Sequence, residues 1–477
     1  MAMLGSGQLQ SKKVCVIGAG MAGLTTAREL RREGHAVTVM EQGRDVGGQW
    51  LYDPRTDDAD PLGAAAPVKV HSSMYASFLP RRGVAGRDPR RFPGHREVFF
   101  YLKDFCEAFG LMELVKLNTK VVRVAVAQPP SPPPSEGCRD MRWLVRSVRV
   151  EPDSGVEVAA VEEVFDAVVV ANGHYSQPRL PTIKGMEEWR RRQLHSHSYR
   201  VLDTFRDDVV VLVGYGNSGM DLVMDLCGRA PDGQVRQAGH DSGHVQDAGE
   251  PRRPAPPPQI DCLCEDGMVV FADGTYVVAD AVIYYTGYTY SFPFLDTDGL
   301  VTVNNNRVGP LFEHTFPPAL APSLSFVGIQ TKVFVPCFFE AQGRWIAQVL
   351  SGRRTLPLAD EMLRAAEDYC RAREAAGVPA KHTHDIGGVN PNETHEFVAK
   401  YTELPPREEW KRELTRAILR DINDDRENFR DLDNDCESVR EGVKRWLCLS
   451  EAPHQAVLGD GASSSQVRMQ FQAPSQL

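Results

Sequence analysis

The chain has 477 residues, of which 42% are hydrophobic and 25% charged, and a formal net charge of −10. A chain of this length buries more than one core and is expected to divide into two or three domains. The acidic balance, with no clustered basic stripe, argues against a nucleic-acid partner; Lys12-Lys13 and Arg190-Arg191-Arg192 are more simply solvated charges.

No signal-peptide pattern precedes Lys12. Lys13 to Ile17 is a short apolar run that reads as a buried parallel strand. It breaks at Gly18-Ala19-Gly20-Met21-Ala22-Gly23 and resumes as a helix through Leu24, Ala27 and Leu30. In such a turn Gly18 permits the sharp reversal, Gly20 lets backbone approach a pyrophosphate, and Gly23 lets helix and strand pack closely. The helix N-terminus supplies N–H groups and a partial positive charge for that pyrophosphate. A second strand, Ala36 to Met40, leads to Glu41, about 20 residues past the glycines, where an acid meets a ribose hydroxyl. A glycine-rich turn without a ligand is the plainer alternative, but strand, helix and acid together favour a bound dinucleotide. Beyond the acid, Gly47-Gly48-Gln49-Trp50 again brings backbone near a ligand, as a long cofactor such as FAD requires.

Further along, a helix is expected over Tyr101 to Phe109 and strands over Lys120 to Val126 and Met141 to Val150, separated by a proline-rich excursion, Gln128 to Pro134. The apolar strand Asp208 to Val213 then runs into a second fingerprint, Gly214-Tyr215-Gly216-Asn217-Ser218-Gly219, and a helix through Met220, Leu222, Val223 and Leu226. The next strand, within Gln234 to His240, carries no acid; it offers Arg236 as a cation for the 2′-phosphate that distinguishes NADP from NAD. Two fingerprints in one chain imply two dinucleotides held close enough for electrons to pass between them.

Ten cysteines are scattered, with Cys262-x-Cys264 the only close pair and no C-x-x-C. That excludes a redox-disulfide flavoprotein and suggests a reducing compartment, read as cytoplasmic. No run approaches the ~18 apolar residues of a membrane span. Trp410, Leu414, Ile418 and Ile422 share one helical face, and disorder is expected after Glu451.

Several segments beyond the glycines are similar to the flavin-containing monooxygenases, and more narrowly to the soluble plant group related to the glucosinolate S-oxygenases. They are the Gly-Gly-x-Trp after the first fingerprint, Arg90 to Val98, Asp166 to Tyr175, and Asp280 to Tyr288. The family's Phe-x-Gly-x-x-x-His-x-x-x-Tyr reads here as Trp189 to Tyr199: His195 and Tyr199 match, Trp189 is a mild change, and Arg191 replaces the glycine. The resemblance runs from about Val14 to about Asp385. It implies an α/β fold of two Rossmann-type domains, for FAD and NADPH, the second inserted in the first. Residues 1–176 and 292–450 then form the FAD domain, 177–291 the NADPH domain, and 451–477 a disordered tail. The first fingerprint with Glu41, Gly48, Gln49 and Trp50 is assigned to FAD and the second to NADPH. His195 and His197 read as structural histidines of a polar turn that supports the NADPH site, since neither has a partner at metal-ligand spacing; no metal is expected.

The chemistry implied is hydride transfer from NADPH to FAD, formation of a C4a-hydroperoxyflavin with O2, and oxygen transfer to a thioether sulfur or amine nitrogen. The cofactor carries that chemistry, so no acid–base dyad is required of the protein. One departure stands out. The family places an asparagine in a pattern like Ser-Leu-x-Thr-Asn-x-Pro, whereas this chain is shortened over Ser73 to Asp88 and has no asparagine between Gln49 and Lys116. No catalytic residue is therefore assigned, and two alternatives stay open: an uncoupled NADPH oxidase releasing H2O2, and a non-catalytic flavoprotein.

Overall fold

The computed structural model describes residues 10–52, 94–127, 141–151, 156–199, 205, 208–214, 234–238, 258–333, 335–386, 393–404, 408–424, 429, 432 and 435–451. From the N-terminus come β1 (Lys13–Ile17), α1 (Met21–Arg32), β2 (Ala36–Met40), α2 (His95–Ala108), β3 (Val115–Lys116), β4 (Thr119–Val126), β5 (Trp143–Val150), β6 (Glu157–Phe165) and β7 (Ala167–Val170). The middle of the chain carries β8 (Gln177–Pro178), β9 (Arg192–His195), β10 (Val209–Val213), β11 (Gln234–Ala238), β12 (Ile260–Leu263), β13 (Met268–Phe271), β14 (Tyr276–Val278), β15 (Ala281–Tyr284) and β16 (Tyr288–Thr289). There follow β17 (Leu295–Asp296), β18 (Thr302–Asn304), β19 (Arg307–Gly309), β20 (Leu324–Phe326), and the helices α3 (Val335–Leu350), α4 (Ala359–Ala375), α5 (Glu393–Tyr401), α6 (Glu409–Asp424) and α7 (Glu437–Glu451).

Two parallel sheets organise these elements. The first has the order β20-β7-β1-β2-β3, the second β11-β10-β15-β9. Every strand of the second lies in sequence between β7 and β20 of the first, so one Rossmann-type unit is inserted in the other. Parallel strands covered on both faces are apolar throughout, which is why β1 and β10 read as continuous hydrophobic runs. Side chains alternate along β1: Val14 and Val16 pack with Leu24, Ala27 and Leu30 of α1, while Cys15 and Ile17 pack with Val124, Trp143 and Phe165 of the antiparallel strands β4 to β6. Burial pushes the Cys15 thiol up to about 12. On its other side α1 meets α3, where a Cβ on Gly343 would stand 2.8 Å from the Thr26 Cα, so only glycine allows the approach. Strands β1 and β2 have the limits expected from their apolar patterns, and α1 runs through Leu24, Ala27 and Leu30 as expected.

Other expectations are corrected. Helix α2 starts at His95, six residues before Tyr101. Gly94 is its extended N-cap, Glu97 N–H donates to the Gly94 carbonyl at 3.0 Å, and the Glu97 carboxylate favours a helix N-terminus. The strand expected within 234–240 is present as β11, where backbone pairing from Val209↔Gln234 to Val213↔Ala238 supplies the ladder despite few apolar side chains. In α6, Trp410, Leu414 and Ile418 do share a packed face, against Phe429 and Val439. The proline-rich excursion, the segment 73–88, the helix expected after the second fingerprint and the tail beyond residue 451 lie outside the described residues. Among the described residues no helix is long and apolar enough to cross a membrane.

Candidate functional site

The first fingerprint is a turn that only glycine can make. Gly18 has φ +104°, and a Cβ there would stand 2.6 Å from the Ala171 carbonyl oxygen at the end of β7. A Cβ on Gly23 would lie 1.9 Å from the Gly18 oxygen. Gly20 caps α1 in an extended conformation without a side-chain cap, so no cap side chain takes the N–H groups of the first helical turn. Across from it Gly48 (φ +54°) packs backbone to backbone: its Cβ would come within 2.8 Å of the Gly20 Cα. Gly47 N–H donates to the Ala19 carbonyl at 2.9 Å, and Trp50, closing the turn Gly48–Trp50, is buried against α1. The two glycine segments therefore form one bare-backbone cradle.

Glu41 completes it. Its carboxylate accepts from Ala19 N–H (2.7 Å) and Gly43 N–H (2.7 Å), one on each oxygen, leaving each a second lone pair. Burial raises its pKa; the two N–H donors oppose that shift. Two buried acceptors, Gln330 Oε1 and Gln342 Oε1, have no hydrogen-bond partner among the described residues. The uncapped helix, the cradle and the free carboxylate lone pairs fit a long, hydrogen-bonding dinucleotide such as FAD.

The second fingerprint opens at its first glycine as the first one does. Gly214 has φ +121°, and a Cβ on it would meet the Tyr285 carbonyl oxygen at 2.4 Å, as Gly18 would meet Ala171. Tyr215, Gly216, Asn217, Ser218, Gly219 and His240 lie outside the described residues. The strand β11 bears no acid, and Arg236 sits in register with Val211 of β10. An acid-free second strand with a basic residue fits NADPH in preference to NADH.

The segment Trp189 to Tyr199 is not the solvated turn that its polar residues suggest. His195 and His197 are both 0% exposed. The ring of His195 donates from Nε2 to the Gly287 carbonyl (3.0 Å) and accepts at Nδ1 from His197 N–H (3.1 Å), which fixes its tautomer. Both rings stand edge-on to Tyr288. They are structural, as expected, and tie β9 to the strand returning from the second unit. Trp189 lies in the core with Val211 and Phe271, and Tyr199 stacks on Phe205. Arg191, in place of the family's glycine, has partners of its own: it donates to the Asp266 and Ala279 carbonyls at 3.0 and 2.8 Å and pairs with Asp280 at 3.2 Å.

Sequence reasoning missed the segment after β20. Gly328 (φ +85°) crosses the first fingerprint, with a Cβ there 3.4 Å from the Ala22 Cβ. Its carbonyl accepts from His174 Nδ1 at 2.7 Å, and that of Ile329 from the Tyr290 hydroxyl at 2.5 Å. Thr331 donates its N–H to the His384 carbonyl (2.9 Å) and its hydroxyl to Asp385. Burial alone would raise the Asp385 pKa, but hydrogen bonds from His382 and Thr331 hold it below the usual carboxylate range. Beside it, His384 Nε2 accepts from Val308 N–H at 3.0 Å, so its Nδ1 carries the proton and donates to His314 Nδ1 at 2.8 Å. Both rings are kept neutral: burial, reinforced by Arg373, lowers His314 to about 3, and burial, reinforced by His314, takes His384 well below its ordinary value. The break of a buried strand at Gly328 was the one local signal of this segment. Among the described residues no group of His, Cys, Asp and Glu is arranged to hold a metal ion.

Comparison with known proteins converges on one family. The model of the flavin-binding monooxygenase-like family matches residues 11–245 and 258–388. The Arabidopsis thaliana flavin-containing monooxygenase FMO GS-OX-like 9 is 47% identical over 455 residues, covering 91% of this chain and 96% of its own, and FMO GS-OX3 of the same plant is 40% identical over 453 residues, covering 91% and 94%. Among solved structures, S-allyl-L-cysteine S-oxygenase from Allium sativum superposes with a TM-score of 0.78 at 39% identity, covering 92% of this chain and 99% of that one.

Proposed function

The chain belongs to the flavin-binding monooxygenase-like family, and on that premise we propose that it oxygenates a soft nucleophile, a small thioether sulfur in preference to an amine nitrogen. The protein is a flavin monooxygenase with FAD and NADPH as its cofactors. The substrate class is supported by one observation above the others: 39% identity, across nearly the whole chain, to a protein that oxygenates the sulfur of S-allyl-L-cysteine. In the balanced reaction NADPH, a proton, O2 and the thioether give NADP+, water and the sulfoxide.

In this proposal Gly18, Ala19, Gly20, Met21, Ala22 and Gly23 seat the FAD pyrophosphate at the N-terminus of α1, where N–H groups and the helix dipole favour an anion. Glu41 takes the ribose hydroxyls, and Gly48, Gln49 and Trp50 line the cradle opposite. Gly214, Tyr215, Gly216, Asn217, Ser218 and Gly219 do the same for NADPH. The domain limits near residues 176 and 291 are part of the same proposal. When bound, FAD would supply the chemistry of hydride acceptance from NADPH and of oxygen transfer from O2 to the substrate. The chain's own residues bind and orient the two dinucleotides and keep water from the reacting ring.

The test is a panel of small thioethers and tertiary amines, with product identified by mass spectrometry after incubation with NADPH in air. Sulfoxide whose yield depends on the thioether is the expected result. A panel giving no sulfoxide from any thioether overturns the substrate class, and amine oxides alone would reassign it.

A further inference from the structure

The chain crosses between the two units twice, and both crossings reach one place. On the way out, after β7, it carries His174; on the way back, after β15, it carries Tyr290. The crossings are joined to each other: β8 pairs antiparallel with β16, Arg179 donates from N–H and Nε to the Gly287 and Thr286 carbonyls at 2.9 Å each, and the Thr286 hydroxyl donates to the Arg179 carbonyl. Each crossing then sends one donor to consecutive carbonyls of the segment lying on the first fingerprint, His174 to Gly328 and Tyr290 to Ile329. A trans peptide is planar, so fixing these two carbonyls also fixes the N–H groups of Ile329 and Gln330, which point the opposite way. Gln330 is 1% exposed and its Oε1 has no partner among the described residues, so the segment is built to meet a ligand.

We propose that His174 and Tyr290 are positioning residues that couple the seating of NADP(H) in the inserted unit to the hold of the first unit on its flavin, through the Gly328–Ile329 carbonyls. The inference rests on the cofactor assignment above. Movement of the inserted unit on its two crossings is carried by these donors to the peptide planes against Ala22. Reciprocity then requires that each nucleotide alter the other's affinity by the same factor.

The experiment follows FAD release from holoenzyme by its fluorescence, with and without saturating NADP+, alongside direct titration of NADP+ binding. In the unaltered protein NADP+ slows FAD release about fivefold or more, the lower end of ordinary site-to-site coupling. Tyr290→Phe removes one hydroxyl, speeds FAD release about tenfold as expected for a buried hydrogen bond, and brings the NADP+ effect below about twofold. His174→Ala does likewise. His174→Gln, whose amide can still donate to Gly328, restores the effect and stands in should the alanine variant fail to keep flavin. A merely structural role would speed release equally with and without NADP+. Variants that bind NADP+ and keep its full effect on FAD release overturn the coupling alone, as does an unaltered protein that binds NADP+ with no effect. Failure of the unaltered protein to bind NADP+ sinks the cofactor assignment and the coupling with it.

Discussion

The two parallel sheets use one device twice and differ in what surrounds it. In both, a buried central strand ends at a glycine with φ above +100°, placed so that any side chain would strike the carbonyl at the end of the neighbouring strand: Gly18 against Ala171, Gly214 against Tyr285. The first continues to a strand ending in Glu41, the second to a strand without an acid. The first is also covered by α1, α3 and the antiparallel strands β4 to β6, and it carries the buried polar network around His314 and His384. The glycine turn is common to both sheets; the second strand and its cover are where they differ.

The largest expected effects test the equivalence of the two turns. Gly18→Ala forces a positive φ and a 2.6 Å clash on a non-glycine residue, which together cost about 3 kcal/mol or more. It should purify without flavin, read as loss of absorbance near 450 nm. Gly214→Ala meets the same obstruction on the other side. It should keep its flavin, accept electrons from dithionite and fail to accept them from NADPH. Equal loss of flavin in both variants would break the comparison.

The second test concerns the buried pair His314 and His384 on the first side. Their folded pKa values lie below the unfolded one, so the stability they contribute is complete above about pH 6.5 and is lost as pH falls toward their folded values. Each imidazole should cost about 1.4 kcal/mol per pH unit between pH 6 and pH 5. Unfolding followed over that range should show the loss, and His314→Phe should flatten it. A profile unaltered by the substitution would place the acid sensitivity elsewhere.

Smaller effects separate the two second strands. Glu41→Gln leaves one carbonyl oxygen for two N–H donors, so one buried donor goes unmet at a cost of about 1–3 kcal/mol. FAD affinity should fall roughly ten- to hundredfold, with NADP+ affinity changed far less. Smallest is Arg191→Ala, which removes the bonds to Asp266, Ala279 and Asp280 and should lower unfolding stability by about 1 kcal/mol. A neutral result would mean that the arginine only fills the place of the family's glycine.

What could be read beforehand was local. The strands and helix around Gly18 announce themselves through apolar periodicity and glycine spacing, and Glu41 follows at a fixed distance. The start of α2 at His95 was missed because its determinants, an N-cap glycine and one first-turn acid, leave no hydrophobic period. His195 and His197 look polar in sequence and are fully buried, because their partners, the Gly287 carbonyl and the Tyr288 ring, lie some 90 residues away in the chain. His174 and Tyr290 were missed for the same reason: a side chain donating to the carbonyl of a residue 154 or 39 positions away has no signature in spacing.

A single turnover tests the central claim most directly. One equivalent of NADPH, added without oxygen to flavin-loaded protein, should bleach the flavin; oxygen and a small thioether should then yield one sulfoxide for each flavin reoxidised, with no H2O2. Bleaching followed by one H2O2 per flavin and no sulfoxide would contradict the monooxygenase account, and a flavin that NADPH leaves oxidised would contradict the pairing of the two fingerprints.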